Sequence, residues 1–211
     1  MDGVELPRLL VESVSRYGPP ERAEWLAELP RMVTQLAERW QLRLDPPFQP
    51  GGMTGWVPPA TRDREPLVLK VTWHGSERAE SLHEPDVLRA WDGRGTVRLL
   101  DSHKDGPTTA LLLEACEPGT PLAEALPDEQ QDIVLCRLLR PMRIDPPAGS
   151  QFRTLADMCA WWADRADAKG VPDAGLAREG LGLFRSLPLD PVPATLLATD
   201  LHPGNVLASQ R

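Results

Sequence analysis

Apolar residues in the first forty positions recur every three or four residues. Leu6, Leu9, Leu10 and Val14 form one stripe, closed by Gly18-Pro19-Pro20, and Leu26, Leu29, Val33, Leu36 and Trp40 form another. That period predicts helices laid against a core. Pro30 interrupts the second stripe, which predicts two short helices with Pro30 in the first turn of the latter. From Gln41 the period drops to two, with Leu42 and Leu44 between polar neighbours. Glycines at 51, 52 and 55 precede Trp56-Val57, residues 61–66 are polar and turn-like, and 66–73 (Pro-Leu-Val-Leu-Lys-Val-Thr-Trp) read as a buried strand. Residues 76–91 predict a helix with Ala79, Leu82, Leu88 and Trp91 inward. Two further strands follow at 96–101 and 109–114, parted by a loop at 103–107.

After Glu114 the pattern changes. Residues 115–122 abandon strand character. Helical periods then occupy 122–126, 130–139, 155–166 and 176–187, cut by Pro127, Pro141, Pro146-Pro147 and Gly170. The chain thus reads as α+β in two parts. Residues 1–117 hold two opening helices, five strands and one helix; residues 118–211 are helical.

Composition narrows the function classes. The chain has 211 residues, 41% hydrophobic and 26% charged, enough for a full core. Its net charge of −8 and pI near 5.1 argue against nucleic acid as a partner. Cys116, Cys136 and Cys159 are widely spaced with no CxxC pair, which fits reduced thiols rather than a disulfide frame or zinc site. No apolar run approaches a membrane span and no leader is visible, so a soluble cytoplasmic protein is expected. Oligomeric state leaves no trace in the sequence.

The densest chemistry lies at 196–207, Leu-Leu-Ala-Thr-Asp-Leu-His-Pro-Gly-Asn-Val-Leu, where Asp200 and Asn205 stand five residues apart in a polar loop between apolar runs. Kinase-type phosphoryl transfer uses that spacing: the aspartate accepts the proton of the attacking hydroxyl, and the asparagine holds Mg²⁺ on the nucleotide phosphates. A polar turn in which both side chains bond their own backbone has the same composition. Lys70, flanked by Leu69 and Val71, is costly to bury without an anionic partner. It reads as a phosphate-binding lysine or as the wet face of an edge strand. Glu77, Glu80 and Glu84 are its candidate carboxylates. Pro85 makes the helix either begin there, with Glu84 near its N-cap, or kink. Gly51, Gly52 and Gly55 suit close approach of backbone amides to phosphates, or a plain hairpin loop. They lack Walker A spacing and no Lys-Ser/Thr pair follows.

The order of these parts resembles a bilobal protein-kinase-like fold. The sequence is similar to the aminoglycoside phosphotransferase group, in its streptomycin 6-phosphotransferase and hydroxyurea phosphotransferase branch. The likeness rests on residues 111–122 (Leu-Leu-Leu-Glu-Ala-Cys-Glu-Pro-Gly-Thr-Pro-Leu), on Trp91-Asp92-Gly93 with Val97-Arg98-Leu99-Leu100, and on 199–207. The resemblance implies ATP-dependent phosphorylation of a hydroxyl on a small-molecule antibiotic. By position it makes Asp200 the base, Asn205 the Mg²⁺ ligand and Lys70 the phosphate contact. Glu84 would orient Lys70, and Glu114, Ala115 and Cys116 would form the adenine hinge. Ala198 stands where many of the group have histidine. Arg211 ends the sequence six residues after Asn205, before the group's second metal-binding aspartate, so a C-terminally truncated, impaired member is expected. A non-catalytic nucleotide-binding remnant and an unrelated α+β interaction protein are the alternatives.

Overall fold

The computed structural model describes residues 4–75, 80–170, 174–190 and 193–210. Its contacts divide the chain into two units, Met1–Ile144 with Leu197–Arg211, and Asp145–Leu196. That grouping differs from a cut between residues 117 and 118.

The first unit opens with α1 (Arg8–Tyr17) and α2 (Pro20–Trp40). Pro30 lies inside α2, which is one helix and not the two expected. The stripe explains this: Trp25, Leu29, Val33, Leu36 and Trp40 are all buried on one continuous face. Packing along that face outweighs the single backbone bond that proline removes.

Six strands follow, β1 (Arg43–Leu44), β2 (Gly55–Trp56), β3 (Pro59–Arg62), β4 (Glu65–Trp73), β5 (Leu99–Asp105) and β6 (Thr108–Glu114). They pair antiparallel in the order β1-β3-β4-β6-β5, and β2 also pairs with β4. Gly55 opposes Thr72 and Pro59 opposes Val68, so β2 and β3 run along the same edge of β4. Pro58, with no N–H to donate, parts them, which gives six strands where five are expected. The region 103–107 is not a loop. His103, Lys104 and Asp105 pair with β6, and only Gly106 and Pro107 turn between Asp105 and Thr108.

Side-chain alternation gives the sheet two faces. Leu67, Leu69 and Val71 of β4 and Ala110 and Leu112 of β6 pack under Leu10, Leu29, Val33 and Trp40 of the opening helices. Leu111, Leu113 and Val68 face the other way, against Leu88 of α3 (Glu80–Trp91). Covered on both faces, β6 is buried from Thr108 to Leu113. Glu77 and Ala79 lie outside the described residues, as does the side chain of Glu80. The helix is already formed at Glu80, so Pro85 lies within it and does not begin it.

Beyond the sheet come β7 (Pro118–Pro121), α4 (Leu122–Ala125) and α5 (Asp128–Met142). Strand character therefore returns at 118–121, contrary to expectation, and Pro141 is carried inside the last turn of α5 instead of ending it. The second unit holds α6 (Leu155–Lys169) and α7 (Ala174–Ser186). Thr154 caps α6, its hydroxyl accepting from the Asp157 N–H at 3.0 Å. Arg185 bridges Asp164 and Asp167 between the two helices. The chain returns to the first unit at Leu197 and then forms β8 (Leu207–Ser209). Cys116, Cys136 and Cys159 form no disulfide with one another. Among the described residues no helix is long and apolar enough to cross a membrane.

Candidate functional site

Lys70 sits between two fully buried neighbours on β4, Leu69 and Val71. Alternation turns it away from them, onto the face that α3 covers. It opposes Leu111 on β6, a residue packed with Leu88. Glu84 lies four residues before Leu88, one turn away on the same side of α3. The two meet: Lys70 Nζ donates to Glu84 Oε1 at 2.6 Å, with side-chain exposures of 29% and 27%. Such shielding strengthens the ion pair relative to an exposed one. Lys70 is thus on an inner strand with a carboxylate in place, not on the wet face of an edge.

The glycine segment connects two antiparallel runs. Asp45 N–H bonds Pro59 O at 3.1 Å and Phe48 N–H bonds Val57 O at 3.0 Å, which carries the β1 pairing forward. Residues 49–55 form the connection. Gly51 has φ +74°, and a Cβ there would come 2.4 Å from Cβ of Pro7; at Gly55 it would meet Cγ2 of Thr72 at 2.7 Å. Both therefore have packing reasons to be glycine. Gly52 has nothing within 4 Å of an added Cβ.

At the end of β6, Glu114 N–H bonds Arg98 O at 3.1 Å, while Glu114 Oε1 accepts from Arg98 N–H at 2.9 Å. Glu114, Ala115 and Cys116 are half-buried, and the last two lie outside the ladder. The chain then enters β7, whose partner is β8, just beyond Asn205: Pro118 opposes Ser209 and Pro121 opposes Leu207. Leu122 N–H bonds Val206 O at 2.7 Å, and Gln210 N–H bonds Glu117 O at 3.1 Å. Main-chain pairing thus ties the Asp200–Asn205 loop to the segment that leaves the sheet.

Within that loop, Asn205 Nδ2 donates to both the carbonyl and the Oδ2 of Asp200, each at 3.0 Å. These bonds fix the two side chains on one side of the turn and leave Asn205 Oδ1 uncommitted to them. His202 adds a third group, to which the sequence reading gives no role. Its Nδ1 accepts from Gly204 N–H at 3.1 Å, so the neutral ring carries its proton on Nε2, 3.9 Å from Asp200 Oδ1. Only its place between Asp200 and Asn205 could have signalled it.

Comparison with known proteins bears on the same segments. Residues 39–211 match the family of aminoglycoside/hydroxyurea antibiotic resistance kinases. The chain is 38% identical to hydroxyurea phosphotransferase of Kitasatospora aureofaciens, over 99% of its own length and 61% of that protein's. It is 32% identical to streptomycin 6-kinase of Streptomyces glaucescens, over 99% of this chain and 67% of that one. The streptomycin 6-kinase of Streptomyces griseus is 31% identical, over 100% and 68% of the respective chains. Among solved structures it resembles aminoglycoside phosphotransferase APH(4)-Ia, with TM-score 0.54 and 16% identity over 85% of this chain and 67% of that one. A thermostable mutant of that enzyme, in ternary complex with ADP and hygromycin B, gives TM-score 0.53 at 15% identity over 84% and 66%. At such identities the likeness establishes the fold, the kinase-like α+β architecture of aminoglycoside phosphotransferases.

Proposed function

Since the chain belongs to the aminoglycoside/hydroxyurea antibiotic resistance kinase family, we propose that it works in moving the γ-phosphoryl group of ATP to a hydroxyl of a small antibiotic, a streptomycin-type aminoglycoside or hydroxyurea. One observation carries the reading. A shielded Lys70–Glu84 pair and a cross-linked Asp200–Asn205 loop occur in one chain, and β7–β8 pairing joins the loop to the end of β6.

Each group has a task that its surroundings support. Lys70, held by Glu84, meets the nucleotide phosphates. The backbone at Glu114, Ala115 and Cys116 meets adenine, and the connection bearing Gly51, Gly52 and Gly55 closes over the phosphates. Asp200 takes the proton of the acceptor hydroxyl as its oxygen forms a bond to the γ-phosphorus. The bond from that phosphorus to the bridging oxygen breaks, and ADP leaves with the electron pair. Asn205 keeps Asp200 oriented throughout. His202 holds its Nε2 3.9 Å from the carboxylate's other oxygen, beyond hydrogen-bond distance. The hard oxygen Asn205 Oδ1 would suit Mg²⁺, which takes one or two protein oxygens beside substrate phosphates. When bound, Mg²⁺ supplies neutralisation of phosphate charge. Catalysis of this kind is positioning and electrostatics, so these groups act as a set.

The test supplies the purified chain with ATP, Mg²⁺ and either streptomycin or hydroxyurea, and follows ADP release. Release that depends on one acceptor and disappears in Asp200→Asn, while ADP binding persists, supports the proposal. ATP binding with no acceptor-dependent release would favour a nucleotide-binding protein without transfer.

A further inference from the structure

Arg22, in the first turn of α2, is only 9% exposed, although arginine is seldom buried without a carboxylate. Its Nη1 donates to Ser13 Oγ at 3.1 Å and its Nη2 to the carbonyl of Met53. Both partners are neutral oxygens. The guanidinium carbon lies 5.9 Å from the centre of the Trp73 ring. Among the described residues Nε has no hydrogen-bond partner. Burial lowers the pKa of the group, yet a guanidinium keeps its proton inside proteins. A shielded cation bound only by neutral groups is a cost to folding. An apolar side chain could fill the same space without it.

Its position supplies a reason. Met53 follows Gly52 in the connection between β1 and β2. The near end of that connection is already fastened to the first turn of α1 and to Glu5 just before it. Leu9 N–H bonds Pro50 O at 3.2 Å, and Gln49 Nε2 bonds Glu5 Oε1 at 2.9 Å. At the far end Gly55 is paired with Thr72 on β4. Gly52 and Met53 lie between these two anchors, and Arg22 grips the carbonyl of the second. Trp73, at the end of β4, backs the guanidinium.

We propose that Arg22 is a positioning residue for nucleotide: by holding the Met53 peptide it fixes the amides of residues 51–54 for a polyphosphate. This rests on the phosphotransferase reading of the same site. Arg22 lies on the opening-helix side of the sheet and Lys70 on the α3 side, so Arg22 acts through the 51–54 peptides and not on the phosphates that Lys70 meets. The contact is specific to arginine, because two separate nitrogens reach Ser13 and Met53. Lysine has a single nitrogen and cannot reproduce that fork.

The experiment measures calorimetric affinity of the full chain for MgATP and for adenosine, in wild type, Lys70→Ala, Arg22→Met and Arg22→Lys. Amide hydrogen exchange at 51–54 is measured beside it. Loss of a charge-assisted contact predicts that Arg22→Met binds ATP about tenfold more weakly, with adenosine affinity within about twofold of wild type. Exchange at 51–54 should quicken. Arg22→Lys should show the same pattern at about threefold, and it carries the test if Arg22→Met does not fold. A merely structural arginine would move both ligands together or neither. An unchanged ATP-to-adenosine ratio in Arg22→Lys, with Lys70→Ala impaired, overturns the role of Arg22 and leaves the nucleotide site standing. A wild type that does not prefer ATP to adenosine overturns the phosphotransferase reading, and this inference with it.

Discussion

Replacing Glu84 by Gln keeps the side-chain volume and removes the charge, which isolates the Lys70 ion pair. The ammonium would then remain under α3 with no carboxylate at 2.6 Å. Deleting one partner of a charge-assisted hydrogen bond costs about 1.5–3 kcal/mol when the other stays buried. Here the two side chains keep 29% and 27% of their exposure, and water recovers part of that loss. The expected destabilisation is therefore about 1–2 kcal/mol. For a protein of this size that is a fall of about 2–8 °C in Tm. Lys70→Met should lose a similar amount by stranding Glu84. The double variant Lys70→Met/Glu84→Gln should return most of the loss, because an uncharged pair strands nothing. Thermal melts of all four proteins in one buffer give the coupling energy, expected at about 1–2 kcal/mol. Strictly additive losses, or a Glu84→Gln Tm equal to wild type, would refute the claim that this pair is built into the core of the site.

Three further outcomes follow from other parts of the structure. Asn205→Ala removes both bonds to Asp200, and because the loop is exposed its melting temperature should barely move; the Mg²⁺ concentration needed for half-maximal ATP binding should rise about tenfold. Gly55→Ala should destabilise by about 1–3 kcal/mol, since its Cβ would meet Thr72 and the Val71 carbonyl, which lies 3.0 Å away, whereas Gly52→Ala, with open space, should stay within about 0.5 kcal/mol in urea unfolding. Burial first, and the positive charge of Lys104 second, lower the pKa of His74 from 6.5. The unfolded chain therefore takes up a proton before the folded one as pH falls through 6.5. Stability should drop across that window, and His74→Gln should flatten the dependence of urea midpoint on pH there.

The sequence disclosed those features whose cause is local. The α2 stripe and the apolar run around Lys70 have periods of their own, and Glu84 shares a helix face with Leu88. Lys70 and Glu84 were matched, out of Glu77, Glu80 and Glu84, by the resemblance to the phosphotransferase group and not by local geometry; the structure then brings the two together at 2.6 Å. The errors came where distant packing overrules a local signal. Pro30 looks like a helix break, yet it lies in a helix whose apolar face is held elsewhere. The strand character of His103 to Asp105 was hidden because β5 is the sheet's edge, mostly exposed, with pairing dictated by β6. The pairing of β7 with β8 joins positions some ninety residues apart and leaves no periodicity in either segment. Arg22 was invisible for the same reason: nothing near it in sequence tells that Ser13, Met53 and Trp73 will enclose it.

The central claim is that the sheet and the Asp200–Asn205 loop serve one nucleotide. Titrating the isotope-labelled chain with MgADP, while following the backbone amides of Lys70 and Cys116 and the side-chain amide of Asn205 by NMR, tests it most directly. The account predicts that all three shift together along one binding curve. Shifts at Lys70 and Cys116 with an unmoved Asn205, or curves with different midpoints, would contradict it.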